Sequence, residues 1–114
     1  MLDWNAYRAE LVGRIGEIAK LSPDTVRGYQ TLSGAAVKNG RLDAKTAELI
    51  ALAVAVTTRC DGCITVHAKA ALDHGATLEE ITDALGVAVA LNAGAALVYS
   101  ARALDAVAAT VAKG

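Results

Sequence analysis

Residues 84–99 carry a single polar side chain, Asn92, in a run otherwise built from Ala, Val, Leu and Gly and closed by Tyr99. A stretch of this kind has to be withdrawn from water, into lipid or against protein. A bilayer-spanning helix needs roughly 20 apolar residues, and this run is shorter and interrupted by Gly86, Asn92 and Gly94, so burial against protein is expected and a membrane span is not. Gly86, Ala90 and Gly94 place a small residue at every fourth position, which lets another helix approach closely. A chain of 114 residues has little surface of its own with which to cover so much apolar helix, so a homo-oligomer is expected.

The rest of the chain is also helical in pattern. It has one Pro and no Phe, and no segment shows the strict apolar/polar alternation of a half-buried strand. The reading is an all-α, single-domain chain, residues 1–114, of about six helices. A first helix covers 3–20, with Leu11, Ile15 and Ile18 on one face and Trp4 and Tyr7 pinning it to the body. A second runs from Ser22 or Pro23 to about Lys38, stopped by Asn39-Gly40. Asp43 caps a third over 44–58, whose Leu49–Val56 stretch is apolar all round and is expected to be buried on most faces. Thr57-Thr58-Arg59 marks a break, and a fourth helix opens near Cys60 and continues to about His74, with Gly75 after its end. Thr77-Leu78-Glu79-Glu80 is a capping box that starts a fifth helix. Asn92-Ala93-Gly94 is read as a break before a sixth, over 94–112, with a single longer helix as the alternative.

Eleven basic and twelve acidic residues leave a net charge of -1, spread along the sequence. There is no basic footprint for nucleic acid or an anionic membrane. The start, Met1-Leu2-Asp3-Trp4-Asn5, lacks the basic and then apolar pattern of a signal peptide, so a cytoplasmic protein is expected. In a reducing compartment a lone Cys pair is more often catalytic, redox-sensing or metal-binding than a permanent staple.

Both cysteines of the chain sit in Cys60-Asp61-Gly62-Cys63, four residues before His67, and Glu48 lies twelve residues upstream of Cys60. Thiols two residues apart in the first turn of a helix can close a disulfide with little backbone movement. Cys63 and His67 are an i,i+4 pair, and Cys60 is nearly two turns before His67, so a helix starting near Cys60 puts all three on one stripe. The helix N-terminus and the imidazole both favour thiolate, the reactive form of sulfur. On the helix-end argument alone Cys60 is the more acidic thiol. Glu48 falls among Leu49, Ile50 and Leu52; periodicity leaves open whether it faces inward toward His67 or lies on a wet stripe paired with Lys45.

The order Glu48, eleven residues, Cys60-x-x-Cys63, three residues, His67, with Gly75 eight residues on, resembles the carboxymuconolactone decarboxylase superfamily, and within it the AhpD-like alkylhydroperoxidase branch. The resemblance spans about residues 25–105 and includes Ala95-Ala96-Leu97-Val98-Tyr99. It implies an all-α fold assembled as trimers or hexamers, with hydroperoxide reduced by the dithiol; separately, the sequence has no phosphate loop, dinucleotide fingerprint or nucleophile elbow, so no organic cofactor is expected. The resemblance further implies that Cys63 attacks the peroxide and Cys60 resolves the sulfenic acid, with Glu48 and His67 as the proton relay. The electron donor would be a lipoyl-bearing or thioredoxin-like protein.

Two features depart from that pattern. Asp61-Gly62 stands where well-known members carry a second histidine, and the Asp61 carboxylate is expected to raise the Cys60 pKa. Asn92-Ala93-Gly94-Ala95 stands where a glycine run ending in Pro is common. Alternatives to a peroxidase are a decarboxylase-type lyase using His67 and Glu48 without the thiols, a zinc site of Cys60, Cys63, His67 and Glu48, and a structural oligomeric module with inert cysteines. Tyr29 and Tyr99 are candidates for a substrate pocket, and His74 for a charge partner at a helix C-terminus.

Overall fold

Local capping chemistry accounts for most of the element boundaries. In the computed structural model, which describes residues 1–113, the chain forms α1 (Trp4–Leu21), α2 (Pro23–Lys38), α3 (Ala44–Thr58), α4 (Asp61–Asp73) and α5 (Leu78–Lys113), and no strand among the described residues. Asp3 caps α1 by accepting the Ala6 N–H, and Asp43 caps α3 by accepting the Thr46 N–H at 2.7 Å. The capping box at α5 forms in both directions: Glu80 N–H donates to Thr77 Oγ1 at 3.1 Å and Thr77 N–H donates to Glu80 Oε1 at 3.0 Å. Gly40 and Gly75 take the left-handed backbone, φ +78° and +86°, that ends α2 and α4.

Five helices form where about six were expected, because Asn92-Ala93-Gly94 does not break the chain and α5 runs unbroken for 36 residues. Asn92 spends its amide on the helix: Nδ2 donates to the Ala88 carbonyl one turn back at 2.7 Å and to Thr57 Oγ1 on α3 at 3.0 Å. An Asn bound in this way no longer competes for a cap, so the turn it would start does not form.

α3 lies at the centre, packed mainly on α4 and α5, while α1 packs on α2 and α4 and α2 touches α3 lightly. Among the described residues only Leu52, Ala55, Thr65, Ala71, Ala76 and Ala88 are buried, so the core runs along the α3–α4–α5 seam. α1 and α2 contain no buried residue. The N-terminus of α1 is held by a polar contact: Thr65 on α4 donates to the Trp4 carbonyl and accepts from Arg8, both at 3.3 Å. Trp4 and Tyr7 meet edge to face beside it.

Two apolar surfaces stay open within one chain. Over Leu49–Val56 most of α3 is buried or partly buried, but Ile50 and Val54 form a half-exposed stripe. The stripe Gly86–Gly94 on α5 also has no helix against it, since a β-carbon at either glycine would meet nothing within 4 Å. α5 is long and apolar enough to cross a membrane by length and composition, with a window of mean hydropathy 1.7. The expected interruption that argued against such a span is therefore absent.

Candidate active site

The turn from α3 into α4 is built around one left-handed residue. Thr57 and Thr58 hydroxyls donate back to the Ala53 and Val54 carbonyls, and Arg59 then adopts φ 56°, ψ 47°, which turns the chain. Arg59 is the one non-glycine with positive φ among the described residues. Cys60 follows in extended conformation as the N-cap of α4, with its Sγ accepting the Cys63 N–H at 3.2 Å. A sulfur here does what a Ser or Asp oxygen does at other N-caps, and the free N–H groups of the helix end favour negative charge on it.

That placement separates the two thiols electrostatically. The Cys60 thiol is held below its ordinary pKa, first by the hydrogen bond from the Cys63 thiol, then by the Cys63 N–H, with a smaller contribution from the Gly62 N–H. The Asp61 carboxylate raises this pKa, as expected, but is the weakest of the influences, so the net shift of Cys60 is downward. The Cys63 thiol is pushed up, first because it gives its hydrogen bond to Cys60, then by burial. Both cysteines are partly buried free thiols.

Glu48 faces inward. His67 Nδ1 and Glu48 Oε2 lie 2.6 Å apart, with both side chains a little over one-fifth exposed. A carboxylate only accepts, so the shared proton sits on Nδ1 and Nε2 remains available. The alternative pairing with Lys45 does not occur, because Lys45 reaches α5 and binds Glu80 at 2.8 Å.

Cys60, Cys63 and His67 open together into a cavity of about 380 Å³, with Gly62 and Val66 of α4, Leu11, Val12 and Ile15 of α1, and Tyr29 of α2. Glu48 stands behind His67, outside this lining. The structure thus brings all four sequence candidates together: three on the cavity wall and the fourth against the imidazole. Tyr29 joins the cavity, whereas Tyr99 lies exposed on α5 under the Arg102 guanidinium. The α1 residues were readable in the sequence only as a helix face, and their i,i+4 spacing held no sign that this face looks onto sulfur. Among the described residues no group of three or more His, Cys, Asp or Glu side chains converges as a metal site would, which leaves the zinc alternative without a ligand cluster.

The family model described as "Carboxymuconolactone decarboxylase family" matches residues 23–106, most of the chain and all of the site except the α1 wall. The chain belongs to the carboxymuconolactone decarboxylase family. Similar family-sized proteins include an uncharacterised protein of Haemophilus influenzae, 49% identical over 104 residues that cover 91% of this chain and 92% of that one. Another is uncharacterised protein 4 in the cox locus of Paracoccus denitrificans, 39% identical over 90 residues, covering 79% and 81%. Among solved structures, an apo carboxymuconolactone decarboxylase family protein from Legionella pneumophila superposes with a TM-score of 0.75 at 37% identity, over 90% of this chain and 91% of that one. The all-α fold expected from sequence is therefore the fold of this family, which includes decarboxylases and peroxidases.

Proposed function

We propose that this family member is a thiol-dependent oxidoreductase of the AhpD-like kind, which reduces organic hydroperoxides through Cys60 and Cys63. The observation that carries the reading is the shared cavity: two electronically distinct thiols and an imidazole backed by a carboxylate face one apolar space. A thiolate attacks the terminal peroxide oxygen, the O–O bond breaks, and the alkoxide takes a proton to leave as alcohol. The sulfenic acid formed is attacked by the second thiol, which expels water and closes the Cys60–Cys63 disulfide. A dithiol donor, lipoyl-bearing or thioredoxin-like, returns two electrons and two protons by exchange. His67 supplies and collects protons, and Glu48 fixes its ring. The resemblance to the family makes Cys63 the attacker; the hydrogen bonding of the reduced pair instead favours Cys60 as the first thiolate, and both orders end in the same disulfide.

The test is a thiol titration of pre-reduced protein before and after one equivalent of cumene hydroperoxide, with alcohol product measured. Loss of both thiols with one equivalent of alcohol supports the reading. Thiols that stay free for hours end it. The second reading, a decarboxylase, rests on the His67–Glu48 pair, which needs no sulfur for proton transfer. A lyase activity that survives Cys60→Ser and Cys63→Ser together would favour it.

A further inference from the structure

Gly62 lies between the two cysteines, and the place its side chain would fill is already taken from another helix. A β-carbon at position 62 would lie 2.8 Å from Leu11 Cδ2, closer than real side chains approach. The end of Leu11 therefore rests directly on the backbone of the Cys-x-x-Cys turn. Leu11 is partly buried there, while its cavity neighbours Val12 and Ile15 on α1 are about half exposed. Of the α1 residues in the cavity, Leu11 is thus the one seated against the redox turn, and α1 has no buried residue to fix it independently.

We propose that Leu11 is a specificity-determining residue of the dithiol site: seated on Gly62, it makes the wall beside both sulfurs apolar and selects oxidants with an apolar body over charged ones. The proposal rests on the reading of Cys60 and Cys63 as a reactive dithiol. The wall is continued by Val12, Ile15 and Val66, so an apolar body that enters the cavity displaces water from a surface with few polar groups other than the thiols and the imidazole. Discrimination in such a pocket amounts to about 10- to 200-fold for a small apolar group gained or lost. A β-carbon at 62 meets the flexible end of Leu11, so a larger residue there is admitted only by shifting Leu11 on the turn.

The experiment compares two thiol reagents with one reactive group and different bodies, benzyl methanethiosulfonate and sulfonatoethyl methanethiosulfonate, on the pre-reduced protein. The rate ratio, benzyl over sulfonatoethyl, is measured for the native chain, Leu11→Asn and Gly62→Ala, with helical circular dichroism confirming the fold of each. The expected result is a ratio about tenfold lower in Leu11→Asn and several-fold lower in Gly62→Ala, where Leu11 is kept but displaced. A ratio that stays within twofold of the native one in both variants overturns the proposal, as do native thiols that react with neither reagent. Both reagents consume any accessible thiol, so the ratio is readable even if the protein reduces no hydroperoxide. Failure of the peroxidase reading is scored separately, by the cumene hydroperoxide titration.

Discussion

The two sulfurs have the same side chain and differ only in what the α4 N-terminus does to each. Cys60 receives hydrogen bonds from the Cys63 thiol and N–H, whereas Cys63 gives one away, so a negative charge is favoured on Cys60. Alkylation of the native chain is therefore expected to persist below the ordinary thiol range near pH 8.5, with Cys60 modified first in peptide mapping. Cys63→Ala removes the donor and should move the Cys60 midpoint upward, while Cys63→Ser keeps a hydroxyl donor and should move it less. The sign for stability follows from the same shift. A depressed folded-state pKa adds stability above the ordinary thiol pKa, and that contribution fades as pH falls through the folded value. At Glu48 the sequence left two faces open, because the choice is made by Lys45 reaching Glu80 on α5, a contact no local pattern records. Glu48→Gln keeps the size but not the carboxylate. It should lower hydroperoxide turnover by about a hundredfold with little change in KM, and rates that match the native chain would remove the relay.

The elements were legible where their ends are written locally. Asp43, Thr77 with Glu80, and Gly75 each act within four residues of themselves, and α3, α4 and the start of α5 fall where those signals put them. The continuity of α5 was not legible, since the residue that decides it, Asn92, is bound to Thr57 on another helix. α1 has no buried residue of its own, and Thr65 is the buried group through which α4 keeps its N-terminus in place. Thr65→Val preserves shape but strips the donor to the Trp4 carbonyl and the acceptor for Arg8. The expected cost is about 1–2 kcal/mol in urea unfolding. If α1 docks through this contact, amide exchange over residues 4–12 should quicken while α3 stays protected; uniform exchange across the chain would show that α1 is held elsewhere.

At the scale of the whole molecule, the dimensions do not fit a chain that works alone. The radius of gyration is 19.2 Å, against roughly 13 Å for a compact domain of this size. The accessible surface is 8599 Å², against roughly 5,800 Å² for a monomer of this mass. The surplus, roughly 2,800 Å², is of the order that obligate assemblies bury. It is concentrated on α5, where Leu97, Val98, Leu104 and Val111 are each about two-thirds exposed or more and the Gly86–Gly94 stripe has no helix upon it. The expectation of a homo-oligomer, trimer or hexamer in the resemblance, is thus kept as a proposal with α5 as its contact face. Light scattering of the native protein should give a mass several times the 11.6 kDa of one chain. Leu97→Glu with Leu104→Glu should reduce it toward the monomer and lower thermal stability together, because the same surface serves both. A native chain that is monomeric at micromolar concentration, or that sediments with membranes from which high salt does not release it, would assign the apolar face of α5 to a different partner, lipid in the second case.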